Sequence, residues 1–347
     1  MPPVPRHHRP SHARVAVLGA GSWGSAFALV LADAGRDVVV WARRAEVAEE
    51  VRGRHRNSAY LGDVELPGRV DATADVARAL DGADLVVLAL PLQRLREHLT
   101  AWRELLPPVP LVSLAKGVET STGLFGTEVV RDATGAGPER VVAVSGPNLA
   151  AEIARRDPAA AVVACRDEAV AAAVADACAA PAFRPYLSTD VTGVDVAGAL
   201  KNVVALAVGV TEGAGHGANA RAAILTRGLA ETTRLGVALG AREATFAGLA
   251  GVGDLVATCG SPLSRNHRVG TALGRGADLG TALAAAGGTA EGVASAPAVL
   301  RRAERAGVDL PLTREVVAVL RAESTPAETA GRLLARARTL DGPWPLA

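Results

Sequence analysis

The stretch RVAVLGAGSWGSAFALVLADAGRDVVVW, residues 14–41, decides the fold. Arg14 to Leu18 reads as a strand, and Gly19-Ala20-Gly21-Ser22-Trp23-Gly24 follows it directly. A helical pattern then runs from about Ser22 to Ala34, and the uninterrupted β-branched run Asp37 to Trp41 reads as a second, buried parallel strand. In that order the glycines have distinct uses. Gly19 permits the tight turn, Gly21 lets backbone approach a pyrophosphate, and Gly24 allows close packing of helix on strand. The phosphates then lie at a helix N-terminus, where free N–H groups and the macrodipole favour negative charge. This is a dinucleotide site.

About 20 residues beyond the turn, a site for NAD usually places a carboxylate to meet the ribose 2′-hydroxyl. Here the second strand ends in Trp41-Ala42-Arg43-Arg44. Two guanidiniums and no carboxylate suit a 2′-phosphate, so NADP(H) is favoured and NAD(H) is kept as the alternative. The plainer reading is that Arg43 and Arg44 merely open a solvated helix.

Further strands are predicted at Asp84 to Leu90, Leu111 to Leu114, Val141 to Val144, Ala161 to Cys165 and Phe183 to Leu187, with helical stretches between most of them. The pattern is that of an α/β, doubly wound, Rossmann-type sheet over residues 14–192. From about Gly193 the strand-like runs vanish, and a mainly helical second domain is predicted over 193–340. Residues 1–13 are rich in Pro, His and Arg, carry no apolar core of a signal peptide, and read as a loose tail.

Composition excludes several classes. With 347 residues, 49% hydrophobic, the chain has apolar content for two buried cores and too much for a disordered protein. No apolar run is expected to reach the ~18 residues of a membrane span. A net charge of +1 and only ten aromatics supply neither the field nor the stacking surface of a nucleic-acid binder. Three cysteines without metal-ligand spacing fit a reduced cytoplasmic protein with no metal.

The cations are 35 arginines and two lysines, Lys116 and Lys201. Arginine does not release its proton near neutral pH, whereas a buried lysine can be tuned to do so. Lys116 follows the strand Leu111 to Leu114 and so lies at the carboxyl edge of the sheet, where ligands bind in this architecture. Ser145-Gly146-Pro147-Asn148 holds the same position after Val141 to Val144, as a polar substrate turn or simply a capped helix start. Were Val194 to Ala207 a helix, Lys201 would share a face with Val194, Ala197, Gly198, Val204 and Ala205. Partial desolvation there would lower its pKa toward the range of a general acid, unless its head snorkels to solvent. Asn202 beside it is a candidate orienting group. Asp254 sits among glycines in Gly251-Val252-Gly253-Asp254, and Ser264-Arg265-Asn266 sets three anion or hydroxyl donors in a row, as a phosphate-bearing substrate requires.

Taken together, these blocks resemble the bacterial NAD(P)-dependent glycerol-3-phosphate dehydrogenase family. The likeness runs from about Arg14 to Val293 and includes GAGSWGSA, Leu114-Ala115-Lys116-Gly117, SGPN, GVDVAGALKNVVALAVGV, ILTRGL, GLAGVGDLVATC, LSRN and Ala290-Glu291-Gly292. It implies a cytoplasmic enzyme that reduces dihydroxyacetone phosphate to sn-glycerol 3-phosphate, a precursor of phospholipids; a homodimer is kept as an option, since the sequence does not give the oligomeric state. Carried over by position, Lys201 is the proton donor and acceptor; the mechanism expected with it has Asp254 and Asn202 orienting its ammonium. Lys116, Gly146, Asn148, Asp254, Ser264, Arg265 and Asn266 contact substrate. Ser22, Trp23, Arg43, Arg44, Lys116, Ala150, Arg265 and Glu291 join Gly19, Gly21 and Gly24 at the cofactor. Three positions depart from the family pattern: Asn148 replaces a usual Ser or Thr, Ala115 a common Thr, and Ala218 a common Asp. Two rivals stay open on sequence alone, a hydroxyacid dehydrogenase whose substrate lacks phosphate and a non-catalytic NADP sensor.

Overall fold

The computed structural model describes residues 14–334. Eight strands form one sheet: β1 (Arg14–Leu18), β2 (Asp37–Trp41), β3 (Val70–Thr73), β4 (Leu85–Leu88), β5 (Leu111–Ser113), β6 (Val141–Ser145), β7 (Ala159–Ala164) and β8 (Phe183–Ser188). Their order across the sheet is β3-β2-β1-β4-β5-β6-β7-β8. The order reverses at β1, and the crevice at the carboxyl end of β1 and β4 is therefore the topological switch point. Helices α1 (Ser22–Asp33), α2 (Ala45–Arg54), α3 (Ser58–Leu61), α4 (Val76–Leu80), α5 (Leu92–Ala101), α6 (Gly126–Thr134), α7 (Ala150–Ala154) and α8 (Glu168–Cys178) connect these strands. Two apolar clusters, one on each face, bury the sheet: Phe27, Leu31 and Val142 belong to one, Leu88, Leu92 and Leu99 to the other.

Two features of the sheet were not legible. β3 is a four-residue strand of sequence VDAT on the outer edge, too short and too polar to stand out, and it pairs only with β2. β7 runs antiparallel to β6 because the five-residue α7 is too short a crossover to return the chain to a parallel start.

The helical half comprises α9 (Val191–Gly213), α10 (Ala218–Ala238), α11 (Asp254–Gly260), α12 (Arg265–Gly274), α13 (Leu279–Ala286), α14 (Glu291–Arg305), α15 (Pro311–Leu320) and α16 (Pro326–Leu334). It begins two residues before the expected Gly193, because Asp190 caps α9 by accepting from the Gly193 N–H at 2.9 Å. The tail 1–13 and the expected end near Leu340 lie outside the described residues. By length and composition α9 could cross a membrane, contrary to the expectation that no run reaches that length. Every residue from Gly193 to Val210 is buried in this fold, so its all-round apolar surface is that of a central core helix. Asp195 fastens α9 to α6 by accepting from the Thr127 N–H (3.1 Å) and hydroxyl (2.6 Å).

Glycine sets how closely α12 crosses α9. A Cβ on Gly209 would lie 2.2 Å from the His267 carbonyl oxygen, and one on Gly270 would lie 2.2 Å from that of Leu206. Side chains there would drive the two backbones apart. Gly270→Val is accordingly expected to cost about 3 kcal/mol or more, the upper end of overpacking. It also moves the start of α12 away from Lys201, so kcat/KM should fall with stability. Urea unfolding of the variant checks the first effect, and an unchanged midpoint would refute the tight crossing.

Candidate active site

One cleft of about 680 Å³ runs from the Gly19–Gly24 turn, past Arg43 and Arg44, to Lys201 and Thr258. Sheet half and helical half both line it. At the near wall, Gly19 takes a φ of +128°, and a Cβ there would press 2.5 Å from the Ala89 carbonyl oxygen. A Cβ on Gly24 would strike the Gly19 carbonyl oxygen at 2.0 Å, whereas one on Gly21 would meet nothing within 4 Å. The Gly21 backbone thus faces open space. No side chain caps α1, so its first N–H groups are left for a ligand.

Three polar atoms in this cleft are buried without any hydrogen-bond partner among the described residues: Trp23 Nε1, Asn148 Oδ1 and Glu291 Oε2. Buried orphans are costly unless something meets them. Together with the uncapped α1 and the open Gly21 backbone they fit a dinucleotide. Arg43 and Arg44 stand exposed at one end, and neither is paired with a carboxylate among the described residues; the Arg44 guanidinium lies 5.8 Å from the Tyr60 ring centre. Ala150 opens α7 on the same wall.

At the far end the chain's two lysines meet on one carboxylate. Asp254, 1% exposed, accepts from Lys116 Nζ at 2.8 Å through Oδ2 and from Lys201 Nζ through Oδ1. Lys116 Nζ also donates to the Gly146 carbonyl at 3.0 Å, and Lys201 Nζ to the Thr258 hydroxyl at 2.9 Å. The Ser145 hydroxyl donates to Asp254 Oδ2 at 3.4 Å. Burial alone would raise the Asp254 pKa, but the two ammonium groups outweigh it and hold it below the usual carboxylate range. Burial dominates at Lys116: despite Asp254, and with Lys201 adding repulsion, its pKa drops from 10.5 to about 8.

The asparagines are engaged otherwise than expected. Asn202 does not reach the Lys201 ammonium. Its amide donates to the Lys116 carbonyl at 2.9 Å, and its Oδ1 accepts from Asn266 Nδ2 at 2.9 Å. Asn266 Oδ1 in turn accepts from the Gly292 N–H at 3.0 Å. This amide chain ties the Lys116 loop, α9, α12 and α14 together, a link invisible in sequence because it depends on the α9–α12 crossing. Ser264 caps α12 by accepting from the His267 N–H at 3.3 Å. The Arg265 guanidinium makes no hydrogen bond to any described residue and opens into the cleft. Asn148 donates to the Ala160 carbonyl at 3.0 Å. Glu291 Oε1 accepts from the Leu92 N–H at 3.2 Å, bridging the two halves.

Thr258, Tyr60, Arg94 and His98 also line the cleft without having been singled out, whereas Ser145, read as part of the turn before Asn148, reaches Asp254. Thr258 was within reach of sequence reasoning, since it lies one helical turn beyond Asp254 on α11.

A dinucleotide wall facing a buried, carboxylate-clamped lysine pair across one cleft is the build of a two-part NAD(P)-dependent dehydrogenase. Comparison with known proteins agrees. Profiles of the NAD-dependent glycerol-3-phosphate dehydrogenase N-terminus and C-terminus match residues 14–171 and 190–330. The chain is 53% identical over 327 residues to a glycerol-3-phosphate dehydrogenase (NAD(P)+) of Corynebacterium urealyticum, covering 94% of this chain and 98% of that protein. It is 53% identical over 324 residues to one of Streptomyces avermitilis, covering 93% and 96%. A crystal structure of glycerol-3-phosphate dehydrogenase from Coxiella burnetii superposes with a TM-score of 0.89 at 34% identity, covering 94% of this chain and all of that one. The chain belongs to the NAD-dependent glycerol-3-phosphate dehydrogenase family.

Proposed function

We propose that this enzyme reversibly reduces dihydroxyacetone phosphate to sn-glycerol 3-phosphate, with Lys201 as the proton donor and NADP(H) the favoured cofactor. The observation that carries this reading is that Lys201, held from behind by buried Asp254, lines the same cleft as the glycine turn. The cofactor, when bound, supplies a hydride to C2 of the substrate. Gly19, Gly21, Gly24, Ser22, Trp23 and Ala150 hold its dinucleotide, and Glu291 Oε2 and Asn148 Oδ1 offer acceptors along the way. Lys201 gives its proton to the developing C2 alkoxide, and Asp254 and Thr258 hold the ammonium in place for that transfer. Arg265 grips the phosphate at the start of α12, where the helix dipole adds to its charge. Ser264 and Asn266 frame that start, Asn202 positions the Lys116 loop, and Lys116 with Gly146 bounds the substrate. In this reading the product feeds phospholipid synthesis in the cytoplasm, a compartment suited to three free, buried cysteines.

Steady-state rates with dihydroxyacetone phosphate against unphosphorylated keto acids test the substrate, and turnover of the keto acids alone would reject it. For the cofactor, the Arg43→Ala, Arg44→Ala double variant should raise the KM for NADPH on the order of 10–100-fold, given what charge-assisted hydrogen bonds contribute. The KM for NADH should barely change. Equal effects on both would reject 2′-phosphate recognition by these arginines.

The Lys116 pKa of about 8 has a further consequence. As pH rises through that value the ammonium is lost, Asp254 keeps only one cationic partner, and kcat/KM should fall. For stability the sign is opposite. The unfolded chain holds this proton up to 10.5, so between about 8 and 10.5 the group's contribution to folding improves with pH. In Lys116→Arg the cation persists, and the alkaline fall attributable to this group should vanish from the pH profile.

A further inference from the structure

We propose that His98 is a third binding group for the adenosine 2′-phosphate of NADP(H), taking up a proton as the phosphate arrives. The proposal rests on the NADP-favouring reading of Arg43 and Arg44.

His98 lies on the same face of α5 as Arg94, and both line the cleft corner occupied by Arg43, Arg44 and Tyr60. Its ring packs against two indoles that also touch each other, 4.8 Å between centres. Trp102 stacks on it at 4.7 Å between centres, and Trp41, the last residue of β2, meets it edge-on at 5.6 Å. This three-ring packing fixes the imidazole, yet neither ring nitrogen makes a hydrogen bond to any described residue. An immobilised imidazole with unspent polar atoms, beside two arginines without carboxylate partners, is a preformed half of an anion site.

The charges around it decide what it can do. On its own helix Glu97 favours the imidazolium, while Arg94, paired with Glu97 at 3.0 Å, opposes it. From the loop after β2, Arg43 opposes it too, and the facing indoles carry no charge. Burial is the largest influence, and with the two guanidiniums it lowers the His98 pKa below 6.5. The ring is therefore neutral near pH 7.5 in the free protein. A phosphate dianion placed in the corner reverses the balance: it offsets the guanidiniums and stabilises the protonated ring. A ribose hydroxyl, as in NAD(H), does not. Selection for NADP(H) accordingly sharpens as pH falls.

Calorimetric titration of the full-length enzyme with NADP+ and with NAD+ tests this, repeated in buffers of different ionisation enthalpy. At pH 7.5 the 2′-phosphate, with a second pKa of about 6, is already a dianion, so uptake reports on the protein. The wild-type enzyme should take up measurably more proton with NADP+ than with NAD+. His98→Phe, which keeps the aromatic packing, and His98→Gln should both abolish that excess. Both should weaken NADP+ binding on the order of tenfold while sparing NAD+. No excess uptake in the wild type, or an excess that survives in both variants, overturns the proposal. If the Arg43→Ala, Arg44→Ala protein still prefers NADP+, the cofactor reading itself fails. If that preference is lost while the His98 variants bind like wild type, only the role of His98 falls.

Discussion

Lys201→Ala should lower kcat on the order of 10²–10⁴-fold, the span that positioned proton donors contribute, and leave NADPH binding nearly intact. The reason is spatial. Lys201 sits at the opposite end of the cleft from Arg43 and Arg44, and its contacts are Asp254 and Thr258 rather than any group on the dinucleotide wall. If Lys201 is the proton donor proposed above, its loss removes the proton for the C2 alkoxide without touching the pyrophosphate cradle. KM for dihydroxyacetone phosphate should move little, because in the proposed reading Arg265 grips the phosphate. Steady-state kinetics with a fluorescence titration of NADPH separates the two effects. Retention of most turnover would remove Lys201 from proton transfer.

Asp254→Asn should be costly in two ways. The carboxylate is the common partner of two ammonium groups in a buried site, and removing it leaves both cations facing each other without an anion. Breaking a buried ion pair from one side costs roughly 3–5 kcal/mol, and here two pairs share the lost group. Activity should fall as well, since Lys201 loses its orientation and Lys116 is pushed further toward its neutral form. The pH signature distinguishes this from simple loss of packing. The wild-type carboxylate is held below its ordinary range, so its stabilisation is present above the unfolded pKa and lost as pH falls through the folded one. In Asp254→Asn that part of the acid dependence should be absent from unfolding curves recorded across the acid range. A variant as stable as the wild type at neutral pH would contradict the shared clamp.

The sequence carries the sheet half well because its logic is local. A glycine turn between Leu18 and the α1 helix, and the run Asp37 to Trp41, constrain topology over a few dozen residues. Lys201 was also legible, since an isolated lysine among small apolar residues at helical spacing implies burial. What could not be read depends on contacts between distant segments. Nothing near Asp254 indicates that it serves Lys116, 138 positions earlier, as well as Lys201. The Asn202–Asn266 bond exists because glycines at 209 and 270 let two helices touch. Asn202 therefore reads locally as a partner for its neighbour Lys201 but works on a loop instead. β3 was missed for an energetic reason: an edge strand paired on one side needs little apolar pattern, and VDAT has little.

The proposed reaction places the substrate between the dinucleotide wall and Lys201. A crystal structure with NADP+ and sn-glycerol 3-phosphate bound decides whether it lies there. The C2 oxygen should lie within hydrogen-bond reach of Lys201 Nζ, about 2.6–3.2 Å, with the phosphate on Arg265. A substrate bound elsewhere in the cleft, with Lys201 still closed on Asp254 and no contact to the C2 oxygen, would contradict it.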